Sequence, residues 1–318
     1  LATTGHDIDK AKAYLGQGQL VAIPTETVYG LAGNALDEAA VLSIFQVKNR
    51  PSFDPLIVHI ASTDTLPILV KEVPALALRL AEAYWPGPLT LLLPKQSLIP
   101  DLVTSGLDTV AIRIPNHPLT LRLLQALDFP LAAPSANPFG YISPTQARHV
   151  AEQLGEKIPY ILDGGECEIG IESTIVGFPD GKPLVYRLGG LSIEAIEEVI
   201  GPVNYLPHST SSPRAPGMLQ SHYAPRKPFY LQEKLELQPG ASEAITGYLL
   251  FDKYLEGVPR EYQRVLSPTG DLVQAAQKLF AFLRELDTLP VAEIRAEMVP
   301  ETGLGRAIND RLRRAAAR

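Results

Sequence analysis

The stretch "IPTETVYGLAGNA", residues 23–35, sets two threonines, a glutamate and a tyrosine directly after an apolar run, Leu20 to Ile23. Hydroxyls and carboxylates are costly to bury without partners. In an open α/β sheet, however, the carboxyl ends of strands are where ligands bind. Similar groups recur at other expected strand or helix ends. Thr27 and Tyr29 follow the first run, Lys48 and Arg50 sit in "KNRP", and His59 lies in the apolar "LIVHI". Thr109 and Arg113 are four apart in "TVAIRI", so both face the same side of a strand. Ser135 and Asn137 stand in "PSAN", Ser173 and Thr174 open "STIV", and Arg187 sits near the end of "LVYRL". Taken singly, each has a plainer reading. His59 reads as a hydrogen-bonded core histidine, Arg113 as a residue snorkelling from an edge strand, and Ser143 as a helix N-cap. Together, arginines, a lysine and several hydroxyls at one sheet edge suit an anionic ligand with several oxygen atoms.

The elements that would position these groups alternate between helix and strand. Asp7–Gly16, Asp37–Lys48, Pro74–Tyr84, a segment opened by Asn116 and Pro118, "SPTQARHVAEQL" and "LSIEAIEEVIG" read as helices. Serine, proline and then glutamine at the head of "SPTQ" fit a capped start at Ser143. Leu20–Pro24, "LIVHI", "LTLLL", "TVAIRI", "LAAP", "YILDGG", "ESTIVGF" and "LVYRL" read as strands. The expectation is a mixed α/β domain over residues 1–205. Residues 202–228 then hold six prolines and no periodic pattern. The expectation there is a linker, residues 206–228, acting as an active-site lid, since long structureless segments are uncommon unless functional or disordered. A smaller α/β domain, 229–318, follows. It carries the strand "ITGYLLF", a helix marked by Leu272, Ala276, Leu279, Leu283 and Leu286, the alternating "VAEIRAEM", and a last helix. The basic end, "RLRRAAAR", reads as a solvated helix terminus.

A chain of 318 residues exceeds one typical core. No apolar run approaches the roughly 18 residues of a membrane span, and the first residues lack a secretory pattern, so the expected location is cytoplasmic. One cysteine, Cys167, excludes an internal disulfide and a cysteine-cluster metal site. A net charge of −7 argues against a surface that grips nucleic acid throughout. There is no G-x-x-x-x-G-K-[ST], no H-E-x-x-H and no G-x-S-x-G, so the common phosphate-loop, zinc-hydrolase and serine-esterase chemistries are not signalled.

Nine segments, "PTETVYGL", "KNRP", "PLIVHI", "YWPGPLTLLL", "VAIRIP", "APSAN", "SPT", "ESTIV" and "YRLGG", occur in an order that resembles the YrdC-like threonylcarbamoyl-AMP synthases. "APGMLQSHYAP" and the domain after it resemble the long two-domain members. The resemblance implies a YrdC-like mixed, twisted sheet with a smaller Rossmann-like α/β domain. It implies that L-threonine, bicarbonate and ATP give threonylcarbamoyl-adenylate and pyrophosphate. It also implies Mg2+ brought with the ATP, no metal ligand from the protein alone, and no protein nucleophile. Carried over by motif, Thr27, His59, Arg113, the backbone at Ala133 and Ser173 match the threonine site. Lys48, Arg50, Thr109, Ser135, Asn137, Ser143, Arg187 and the linker's Tyr223 match the nucleotide site. A downstream tRNA threonylcarbamoyl transferase complex is the implied partner, with a transient tRNA contact and no membrane. The chain departs from the pattern at Asp54, where the family has asparagine, and at "LQS", where it has basic residues. Two other readings differ in class: an RNA-binding module, and a carbamoyltransferase-related enzyme using carbamoyl phosphate.

Overall fold

A computed structural model describes residues 1–206, 215–219, 221–236 and 245–317. The expected linker therefore lies partly outside the described residues, at 207–214 and Gln220. Among the described residues, eleven strands form one mixed sheet and four form a second. In spatial order the larger sheet runs Thr3–Gly5, Tyr160–Leu162, Val21–Ile23, Gly30–Asn34, Leu131–Ala132, Ile57–His59, Thr109–Arg113, Leu89–Pro94, Thr174–Gly177, Leu184–Arg187 and Asn204–Tyr205. The smaller is wholly parallel, in the order Phe229–Gln232, Glu293–Glu297, Thr246–Leu250 and Gln263–Val265.

The strand Thr109–Arg113 lies in the middle of the larger sheet. It pairs parallel with Ile57–His59 and antiparallel with Leu89–Pro94. Its register sets Arg113 beside His59, so a cation and an imidazole share one strand end. The helix Glu38–Lys48 is capped by Asp37, whose carboxylate accepts from the Ala39 amide at 2.9 Å. It stops at Asn49, which takes a left-handed φ of 52°, one residue after Lys48 and one before Arg50. That termination delivers both cations to the same edge of the sheet.

Four local readings are corrected. Gly30–Asn34 is a strand, antiparallel to both Val21–Ile23 and Leu131–Ala132. Its glycines weaken the strand signal, yet a Cβ on Gly33 would lie 2.9 Å from the Leu20 side chain, so the close approach requires glycine. Phe229–Gln232 and Gln263–Val265 are strands that carry too few residues for a pattern to show. Ser143 caps no helix: the helix runs Ala147–Leu154 from Gln146 without a side-chain cap, and Ser143 bonds elsewhere. The basic end of the chain is not a solvated terminus. In the helix Gly305–Ala316, Arg311 is fully buried and Arg314 nearly so, while Arg313 is exposed and paired with Glu301. Arg311 and Arg314 are three apart and share the helix face turned to the larger domain.

Val28, Ile142 and Ile171 of the larger domain are buried in one apolar cluster with Phe280, Leu283, Ile308 and Leu312 of the smaller. The two sheets thus share a core rather than hanging on a tether.

Candidate active site

The polar groups of "PTETVYG" find partners mostly among themselves and their neighbours. Thr25 Oγ1 donates to the Val28 carbonyl at 2.6 Å and accepts from the Thr27 and Val28 amides. Tyr29 donates to the Gly165 carbonyl at 2.8 Å. Arg113 is buried, not snorkelling: its Nη1 donates to Thr27 Oγ1 at 2.8 Å and its Nε to the Gly87 carbonyl at 3.2 Å. Its Nη2 lies 2.7 Å from a carboxylate oxygen of Glu26. Glu26 is equally buried, and neither of its oxygens has a well-directed hydrogen bond. His59, beside Arg113, is held neutral. Burial, then the Arg113 charge, pushes it down to about 3. Its Nδ1 is unpartnered.

Thr27, His59, Arg113, Ala133 and Ser173, the five residues matched to threonine, line one cleft. Arg50, Ser135, Arg187 and Tyr223 of the nucleotide set line it too. Three more stand behind its wall. Lys48, fully buried, donates through Nζ to the carbonyls of Ser135 and Asn137, fastening the "PSAN" turn. Asn137 in turn donates to the carbonyls of Pro138 and Tyr141. Ser143 donates to Glu172 at 2.6 Å. Thr109 is placed apart. It lines a second cavity with Leu92, Pro94 and Tyr186. Four residues of strand put it roughly 13 Å from Arg113. Ala111, between them, is buried with Ala215 and Met218 of the linker.

Four described linker residues, Pro216, Gly217, His222 and Tyr223, line the cleft. Gly217, at a left-handed φ of 69°, donates its amide to Asp54 at 3.3 Å, and a Cβ there would meet Arg187 Nη1 at 2.9 Å. Only glycine suits both demands. Asp54 is fully buried and pairs with Arg50 at 2.9 Å, so the departure from asparagine supplies Arg50 with a counter-charge. Tyr223 stacks on Phe280 at 5.3 Å, edge-on to His222 at 4.2 Å, with Arg314 over its ring at 4.9 Å. Its φ of 66° is strained for an aromatic residue, and these neighbours hold it there.

Several members of the site carried no clear signal in the sequence. Glu172 was visible in "ESTIV" but without a role, and it lines the cleft. His222 also lines it; burial, then Arg314, Arg50, Lys48 and Arg187, drive its ring well below its ordinary range. Arg311 donates to Glu172 from a helix more than a hundred residues away in sequence, which no spacing rule could connect. Cys167 is buried, and burial, then nearby Glu26, raises its thiol. It is a packing residue, so Cys167→Ser is expected to keep most activity; a large loss in a folded variant would require a thiol role.

The balance of charge is the site's main electrostatic feature. Glu26, Asp54 and Glu172 pair with Arg113, Arg50 and Arg311. Lys48 and Arg187 are buried with carbonyls and no ion pair to a carboxylate among the described residues. Burial lowers both, Arg187 to about 10. Buried cations without a direct ion pair are costly, and an incoming anion relieves that cost.

A family model described as "Telomere recombination", for Sua5, YciO and YrdC, matches residues 13–189. A second, described as the C-terminal domain of threonylcarbamoyl-AMP synthase, matches 191–317. The chain is 44% identical to a threonylcarbamoyl-AMP synthase of Pyrococcus abyssi, over 96% of this chain and 92% of that one. It is 41% identical to one of Bacillus subtilis, over 99% and 94%. The crystal structure of P. abyssi Sua5 complexed with L-threonine superposes with a TM-score of 0.90 at 40% identity, covering 99% of this chain and 97% of that one. Escherichia coli YciO, at 21% identity and a TM-score of 0.54, covers 59% of this chain and shares the fold of the larger domain. A shared core, a cleft lined by all five threonine-type positions and matches over both domains agree: the chain belongs to the Sua5/YciO/YrdC family, in its two-domain threonylcarbamoyl-AMP synthase form.

Proposed function

We infer that the chain joins L-threonine, bicarbonate and ATP into threonylcarbamoyl-AMP, releasing pyrophosphate. The observation that carries this is one cleft lined by the five positions matched to threonine and by Arg50 and Arg187, with Lys48 behind its wall and neither Lys48 nor Arg187 in a direct ion pair among the described residues. An amino-acid carboxylate and a triphosphate would both find cations there.

In this reading the threonine nitrogen bonds to the bicarbonate carbon, and water leaves to give a carbamate. A carbamate oxygen then bonds to the α-phosphorus of ATP as the bond to the β-phosphate breaks and pyrophosphate departs. Arg113 holds the threonine carboxylate; Thr27, His59, Ser173 and the backbone at Ala133 fix the rest of the amino acid. Arg50, Arg187, Ser135 and Tyr223 meet the nucleotide. Lys48 and Asn137 act through the turn they fasten, Ser143 through Glu172, and Thr109 at the far end of the same strand face. Neither step needs a protein nucleophile, so catalysis rests on positioning and on neutralising phosphate charge in a site closed to water.

ATP brings a divalent cation, magnesium. Among the described residues no three His, Cys, Asp or Glu side chains cluster, and Asp54 and Glu172 are already paired with arginines. That donor set fits an ion carried on phosphate oxygens and water rather than in a protein cage. When bound, the ion neutralises triphosphate charge. The product is an activated acyl group for a tRNA threonylcarbamoyl transferase complex, a partner this reading requires, with tRNA contact transient. No helix among the described residues is long and apolar enough to cross a membrane. A cytoplasmic site of action is part of the same proposal.

Pyrophosphate release is expected only when threonine, ATP, bicarbonate and divalent metal are all present. Serine is expected to be poorer, because one methyl in a pocket is worth about 1–3 kcal/mol. Release that ignores threonine, or equal rates with threonine and alanine, would overturn the assignment. It would favour carbamoyl phosphate chemistry, whereas no release together with no threonine binding would favour a binding module.

A further inference from the structure

We propose that Arg311, from the last helix of the smaller domain, is a positioning residue for the nucleotide half of the site, acting through Glu172. Glu172 is a carboxylate on the wall of a cleft that must accept an anion, and left alone it would repel one. Arg311 donates to its Oε2 through Nε at 3.2 Å and Nη2 at 3.0 Å. The third arm, Nη1, reaches the carbonyls of Leu188 and Ala307, so the guanidinium has one orientation. The other oxygen of Glu172 accepts from Ser143 at 2.6 Å. The next residue, Ser173, is gripped by Arg187 and bonds to Thr90 at 2.7 Å. The ion pair thus holds Glu172 with Ser143 behind the cleft wall, next to Ser173 in the lining, and offsets a misplaced negative charge.

A buried ion pair is a weak device for stability. This one joins the smaller domain to a cleft-lining carboxylate, which favours a role in the site. Arg311 also lies 5.6 Å from the Tyr223 ring, so the same guanidinium borders the linker's aromatic residue. The groups facing Glu172 are Arg311 on the last helix, Arg187 on its strand, Lys48, Ser143 and Tyr223 on the linker, with Arg314 and His222 beyond Tyr223. Burial alone pushes the Glu172 carboxyl up; Arg311, then Arg187, then Ser143 bring it below its ordinary value. With Arg311 gone, the largest of the influences that lower the carboxyl is lost while burial still raises it, so it takes up a proton at higher pH than in the wild-type chain.

The inference rests on ATP occupying this cleft. The test is calorimetric binding of a non-hydrolysable ATP analogue with magnesium, and separately of threonine, to the full-length chain at mildly acidic and mildly alkaline pH. Arg311→Met is expected to weaken nucleotide binding about tenfold or more at alkaline pH, since it leaves a bare buried charge beside the phosphates. Threonine binding should change far less. Acid should restore nucleotide binding in Arg311→Met by neutralising Glu172, relative to the wild-type chain at each pH. Glu172→Gln combined with Arg311→Met removes both charges and should bind the nucleotide several-fold better than Arg311→Met alone. If Arg311→Met does not fold, the double variant decides: binding within a few-fold of wild type supports the inference, and a loss of tenfold or more overturns it. Folded Arg311→Met that binds the nucleotide like wild type at alkaline pH also overturns it. A wild-type chain that does not bind the analogue refutes the nucleotide assignment instead.

Discussion

Arg113→Lys is expected to lower threonine affinity by a factor of tens to thousands while ATP binding changes little. Lysine keeps the charge and can still face Glu26, so the core of the sheet should survive. It cannot reproduce the guanidinium fork, which serves Gly87, Thr27 and Glu26 at once. Truncating one partner of a buried hydrogen-bonded charge pair costs about 2–5 kcal/mol, and each 1.4 kcal/mol is about tenfold in affinity. The loss falls on threonine because Arg113 sits beside His59 and bonds Thr27, two of the positions matched to the amino acid. Calorimetric titration of threonine into the folded variant measures it. Unchanged threonine affinity would mean that Arg113 serves only to hold Glu26.

Much of this site could be read before the fold was known, and the part that could not has a common physical cause. Thr27, His59 and Arg113 follow or end short apolar runs and Ser173 opens one, so periodicity places them at strand ends. Lys48 and Arg50 flank a helix stop signalled by Asn49 and Pro51. Local rules reach that far. Glu26, Glu172 and Arg311 draw their meaning from partners 87, 139 and 139 residues away in sequence, at contacts that only the tertiary fold creates. Ser143 illustrates the competition. Its local cap pattern is sound, but a buried carboxylate within reach offers a stronger, charge-assisted acceptor. Arg311 and Arg314 look like any basic helix end, because burial of a helix face depends on what packs against it. The strand Gly30–Asn34 was hidden by two glycines that serve close packing rather than a turn.

A chain cut after Tyr205 is expected to lose most synthase activity and to be less stable than the same domain in the full chain. The larger sheet is complete at Asn204–Tyr205, which argues for residual folding. The cut, however, exposes Val28, Ile142 and Ile171, each worth about 1.5–3 kcal/mol when buried. It also strips Arg311 from Glu172 and Arg284 from the carbonyls of Ile142 and Ser143. The greater effect is on the reaction. Described linker residues are fastened at or near the cleft: Pro216 on Arg187, Gly217 on Asp54, Leu219 on Arg314 and Ala224 on Gly140, and the expected lid is tested by removing them. Without that cover, water enters, charge interactions inside weaken, and the mixed anhydride product is open to hydrolysis. Tyr223→Ala in the full chain keeps the hydrogen bonds of Arg284 and Arg311 but opens a cavity beside Phe280 in the shared core, so its thermal unfolding is measured alongside. It is expected to weaken nucleotide binding more than threonine binding and to raise the share of AMP over intact adenylate. Both quantities are read by chromatography of the products alongside titration. A truncated chain that makes adenylate at the full-length rate, with no added AMP, would reduce the linker to a tether and leave the cleft's closure to other elements.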